Sequence, residues 1–163
     1  MLWAMSLPSR MADDPPEKVL RLARVIWAAL LLGQISFAGV IGFLITRGGI
    51  GLEPGEMSRL LTRVNFGLLV LMVPLAYVVR GLIFRRSGEG RAMPPPDYLR
   101  GTIVFLAMCE FVALFGLVTT LLNGSFFPPA ITTLIALIVQ AMNLPDGREI
   151  RPPADEGGPI EPR

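Results

Sequence analysis

Histidine is absent from the 163 residues. Its absence removes His-based zinc and haem sites, the Ser-His-Asp and Cys-His nucleophile systems, and the commonest general base. Cysteine is nearly absent: Cys109 stands alone, so no internal disulfide can form and the chain gives no sign of its redox compartment. Charge is scarce too, at 17% of residues against 52% apolar. A soluble domain interleaves charge throughout, whereas here it collects in blocks between long apolar runs, the membrane pattern. No dinucleotide fingerprint occurs either. Gly48-Gly49-Ile50-Gly51 is turn chemistry that follows no strand. The net charge of +2 is small, and arginines beside apolar runs fit lipid headgroups better than nucleic acid. The composition thus points to a non-enzymatic protein without metal or cofactor, whose first partner is the lipid bilayer.

What is present is four apolar runs, at 25–46, 64–84, 102–122 and 126–142. About 20 apolar residues in a helix cross a bilayer core of about 30 Å. The fold expected is therefore an all-α membrane protein of four transmembrane helices. The fourth run is short and is expected to tilt little or to sit in locally thin bilayer. A polar N-terminal segment, 1–24, precedes the transmembrane domain, 25–144. Within it Met11 reads as an alternative start. Asp14 is expected to cap a helix that begins at Pro15-Pro16 and runs through Val19, Leu20, Leu22 and Ala23 into the first span. Asp97 is a candidate cap for the third helix, and residues 145–163, rich in Pro, Gly and acids, are expected to form a disordered tail. Twelve of the 15 basic residues fall in the N-terminal segment, the second loop and the tail, with Arg80 at the end of its span counted to the second loop. Arg80, Arg85, Arg86 and Arg100 serve here as orientation and headgroup residues, with Arg80 snorkelling from the end of its span. Both termini should then be cytoplasmic, in a multi-pass protein of a bacterial-type inner membrane.

Inside the spans, polar and small residues carry the information. Gln34, Ala38 and Gly42 recur at i, i+4 and i+8, with Gly39 beside them. They share one helix face, where small residues let helices approach and a buried amide acts as polar glue. Pro74 interrupts the second span and should kink it. Glu110 is the outstanding residue, about nine positions into its run, close to mid-membrane at roughly 1.5 Å per residue. An ionisable group there is a functional-site candidate by default. A weak tandem repeat links it to Gln34. With a shift of 76 positions, Arg24 falls on Arg100, Leu30 on Leu106, Gln34 on Glu110, Ile41 on Leu117 and Gly48 on Gly124. Such a repeat implies two parallel helical hairpins, with Gln34 and Glu110 facing each other as an amide–acid pair. Desolvation and that pairing favour the neutral acid, so Glu110 is expected to be protonated at rest.

The run Glu110-Phe111-Val112-Ala113-Leu114-Phe115-Gly116-Leu117-Val118 resembles the carboxylate helix of the proteolipid (c-type) subunits of rotary ATPases, in which an acid is followed by apolar residues and then an aromatic-Gly-Leu-Val sequence. The resemblance implies that Glu110 carries a proton or cation. It is local: the family sets its acid on the second helix of each hairpin, whereas Glu110 stands on the third span. Two functions follow as expectations. The first is a structural or accessory component of a membrane assembly, self-associating or bound to other membrane subunits. The second is a proteolipid-like ion-translocating subunit with Glu110 as reversible carrier.

Overall fold

The structure, a computed structural model, describes residues 15–48, 55–87 and 93–150. Expectations for Asp14, the loop 49–54, the linker 88–92 and the chain after 150 lie outside the described residues. All described regular structure is helical: α1 (Pro16–Thr46), α2 (Glu56–Ser87), α3 (Pro95–Asn123) and α4 (Ala130–Met142). The local chemistry explains the ends. Pro16 occupies the first turn of α1 and Glu17 follows it, where fixed φ and negative charge both suit a helix N-terminus. In α3 the prolines at 95 and 96 do the same, so Asp97 falls within the first turn and Pro94, not Asp97, is the capping residue. α1 and α3 each stop at a glycine with left-handed backbone, Gly48 at φ 71° and Gly124 at φ 61°, a conformation glycine adopts without a Cβ penalty. α2 continues through Pro74 without interruption.

Three helices, α1 to α3, are long and apolar enough to cross a membrane. The fourth is not. α4 has 13 residues, about 20 Å at 1.5 Å per residue, against a core of about 30 Å. Of the expected span 126–142, the first four residues do not join the helix, because Pro128 and Pro129 bring the chain to it in turns. The expectation of four full transmembrane helices is therefore corrected to three and one shorter.

α3 is the axis of the molecule. It packs against each of the other three, while α1 and α2, though consecutive, scarcely touch. Half of its apolar stretch is buried, compared with 11% in α1 and 6% in α2. Its buried positions include Thr102, Phe105, Leu106, Cys109, Val112, Ala113, Gly116 and Leu117. They recur every three or four residues and form one wide arc. On one side Phe105 meets Tyr77 of α2 edge-on, ring centroids 4.9 Å apart. Leu69 of α2 joins Val112, Ala113 and Ala136 of α4 in a second cluster. Towards α1, the cluster of Phe105, Leu106 and Cys109 takes in Ile26, Trp27 and Leu30. The packing thus departs from two self-contained hairpins, because α3 separates α1 from α2.

Beyond α4 the chain does not leave the fold. Pro145, Gly147 and Ile150 are buried, and Ile150 joins Val19, Ala23, Met93, Tyr98 and Leu99. The Met93 amide donates to the Glu149 carbonyl at 3.0 Å, the Gly147 amide to Tyr98 Oη at 3.3 Å, and Arg24 Nε to the Pro145 carbonyl at 3.0 Å. Disorder was expected from residue 145; for 145–150 this is corrected to a strap seated on the starts of α1 and α3. Buried non-helical backbone needs hydrogen-bond partners, and these three contacts supply them. The described chain consequently begins and ends at the same end of the molecule.

Candidate functional site

Gln34 and Glu110 do not meet. Gln34 is 1% exposed and its Nε2 donates to Oε1 of Gln140 on α4 at 2.9 Å. Trp27, two turns earlier on α1, donates its indole N–H to the Gln140 carbonyl at 2.8 Å. That carbonyl belongs to the last turn of α4 and also accepts from the capping Asn143 amide at 3.2 Å. α1 therefore holds the end of α4 by side chain and backbone together. Trp27 is turned inward for this purpose. The Gln34 Oε1 and Gln140 Nε2 atoms, both buried, have no hydrogen-bond partner among the described residues.

The reason Glu110 misses Gln34 lies in its helix position. It stands about 100° from Cys109, the centre of the buried arc, and so falls at the margin of that arc. Ile103, Phe111 and Val118 on the outward side are 40%, 51% and 41% exposed. Glu110 is half-buried among them, and it has no hydrogen bond or ion pair with any described residue. The expected amide–acid pair is thus corrected to an amide–amide pair between α1 and α4, with the acid outside it.

The small residues also divide differently from expectation. Ala38 is half-buried, and a Cβ at Gly42 would sit 3.6 Å from the Phe126 ring, ordinary contact. Gly39 has open space around it. The close approach occurs instead at Gly116 of α3, where a Cβ would collide with the Thr133 hydroxyl and lie 2.8 Å from the Thr132 hydroxyl. Both threonines are committed: Thr133 Oγ1 donates to the Ala113 carbonyl at 3.1 Å, and Thr132 Oγ1 donates to the Pro129 carbonyl at 2.7 Å. Thr132 also accepts from Asn65 Nδ2 of α2 at 2.6 Å. α4 is consequently held at its start by Asn65 and at its end by Gln34 and Trp27.

Of the arginines, Arg80 is the one the structure moves most. Instead of reaching to headgroups, its Nη1 donates to Asn143 Oδ1 at 3.2 Å and its Nη2 lies 3.5 Å from Glu149 Oε1. Its guanidinium also covers the Phe84 and Phe105 rings at 5.0 and 5.5 Å. Asn143 in turn donates to Tyr77 Oη at 2.6 Å. Arg80 is drawn inward because the strap brings a carboxylate to it. Arg85 and Arg100 are exposed; Arg86 lies in α2, and its side chain is outside the described residues.

Gln140, Asn65 and Thr132 went unnoticed as partners in the sequence. Each is a polar residue in an apolar run, which is the available signal, but helical period alone does not say which neighbour it meets. Among the described residues no cluster of three or more His, Cys, Asp or Glu is placed to hold a metal. No family model, curated protein or solved structure matches the chain.

Proposed function

We propose that this protein is a non-enzymatic accessory subunit of a membrane assembly, with its termini on the cytoplasmic face of a bacterial-type inner membrane. The observation that carries this proposal is the state of Glu110: ionisable, near mid-span, half-buried on the outer margin of α3, and without a hydrogen-bond or ion-pair partner among the described residues. Such a group in hydrocarbon favours any arrangement that supplies a hydrogen bond. The exposed apolar faces of α1 and α2 supply the surrounding contact area, with Leu32, Val70 and Leu71 each more than 60% exposed. The partner is another membrane protein or a further copy of this chain. A photoreactive benzoyl-phenylalanine in place of Phe111, beside Glu110, tests this in intact membranes. A discrete protein adduct is expected on irradiation; lipid adducts alone would refute the proposal.

A second reading has its own support. With Gln34 bound to Gln140, no described residue locks the Glu110 carboxyl, which leaves it available for reversible protonation. This is the role implied by its resemblance to the proteolipid carboxylate helix. Carbodiimide modification of Glu110 in membranes, followed by mass spectrometry across pH, tests it. Modification that falls away as the acid ionises is expected for a carrier, and no modification at any pH would remove this reading.

A further inference from the structure

At the end of α2 far from Arg80, Arg59 and Arg63 stand one helical turn apart, just before the apolar stretch. Both are exposed, and neither makes an ion pair with a described residue. A groove of about 400 Å³ runs between this pair and the turn joining α3 to α4; Thr62, Asn123, Ser125 and Phe127 are among its other lining residues. Its walls are tied together. Asn123 Nδ2 at the end of α3 donates to Thr62 Oγ1 at 3.0 Å, and Thr62 Oγ1 donates to the Ser58 carbonyl at 2.9 Å. Phe127, beside the two guanidiniums, is 73% exposed.

From this we infer that the groove binds the phosphate of an anionic phospholipid headgroup. Two guanidiniums on one face present paired donors matched to phosphate oxygens. Their level in the molecule is that of a headgroup, since Arg63 immediately precedes the apolar run of α2 and Asn123 closes that of α3. A free anion has no use for the exposed phenyl ring beside the charges. A lipid does: its phosphate meets Arg59 and Arg63 while its glycerol and upper acyl carbons lie on Phe127. This site is at the opposite end of α3 from the strap and does not depend on Glu110.

Native mass spectrometry of the full chain, released from micelles containing phosphatidylglycerol and phosphatidylcholine, tests the assignment. The wild type is expected to retain phosphatidylglycerol selectively. Arg59→Gln with Arg63→Gln is expected to weaken that retention roughly thirtyfold, and each single change about fivefold, from the usual contribution of a juxtamembrane basic residue. The single variants decide the matter if the double variant does not fold. Arg148→Gln, at the opposite end of the molecule, should leave retention unchanged. Equal retention by wild type and the Gln variants, or no preference over phosphatidylcholine, would overturn the site. Displacement of the lipid by millimolar inorganic phosphate would overturn its assignment to a lipid.

Discussion

Gln34 and Gln140 form a buried bond between α1 and α4, and removing either side chain strands the other. Gln34→Leu is expected to destabilise the protein by about 1–2 kcal/mol, toward the upper range for hydrogen bonds within membranes. Gln140→Leu should do the same, and the double variant should lose less than the sum of the two. A double-mutant cycle of unfolding in detergent measures the coupling; strict additivity would mean the bond contributes nothing. Gly116→Ala tests the close approach of α3 and α4. The added methyl meets two threonine hydroxyls that are fixed by their own bonds, so overpacking of about 1–3 kcal/mol is expected. Gly39→Ala, with open space around it, should be neutral or slightly stabilising in the same thermal assay, since alanine is the better helix former. The sequence showed that Gln34 is a buried amide on a face of small residues. It did not show the partner, and it placed the tight packing on α1, because small residues mark close approach only once the facing helix is known.

α4 and the strap act as one structural element. The bounds of α1 to α3 were legible because apolar runs of membrane length end in turn residues, with Gly48 and Gly124 as stops. Of the positions aligned by the 76-residue shift, Gly48 and Gly124 share a left-handed backbone and Ile41 and Leu117 are both buried, but Gln34 is buried and Glu110 only half-buried. The strap was not legible, since Pro145, Asp146 and Gly147 have the composition of a disordered segment. Their order comes from Tyr98, Arg24 and Met93, which are distant in sequence. Within the strap, Ile150 carries most of the apolar contact. Ile150→Ala is expected to cost about 2 kcal/mol, at the low end for a buried isoleucine because it lies near the end of the bundle, and to speed proteolytic cleavage after residue 143. Glu149→Gln should change stability by less than about 1 kcal/mol, because its pair with Arg80 is long and partly exposed. If limited proteolysis ranks these two variants the other way, the strap is held by charge and not by packing.

For the molecule as a whole, the two proposed functions place opposite demands on Glu110. An accessory subunit uses it as a hydrogen-bonding contact with a neighbour, and an amide retains that capacity. Glu110→Gln should then preserve the photo-adducts formed from position 111, whereas Glu110→Leu should weaken them severalfold, since the partner's polar group loses its bond. A carrier needs a group that gains and loses a proton, and an amide does neither. For a carrier, Glu110→Gln should abolish proton flux into vesicles while leaving thermal stability and adducts intact. Measuring adducts and flux on the same three proteins separates the cases, because stability cannot account for a change in one readout alone. The unequal burial of the helices bears on the first outcome. α3 packs against the three other helices, yet the acid lies at the edge of its covered arc, next to Phe111, which is exposed. A neighbour seated on that edge of α3 covers Phe111 and Glu110 together. Loss of adducts in Glu110→Leu without loss of folded protein would therefore identify the carboxyl as part of the contact, and retention in all three proteins would mean that the neighbour is held without it.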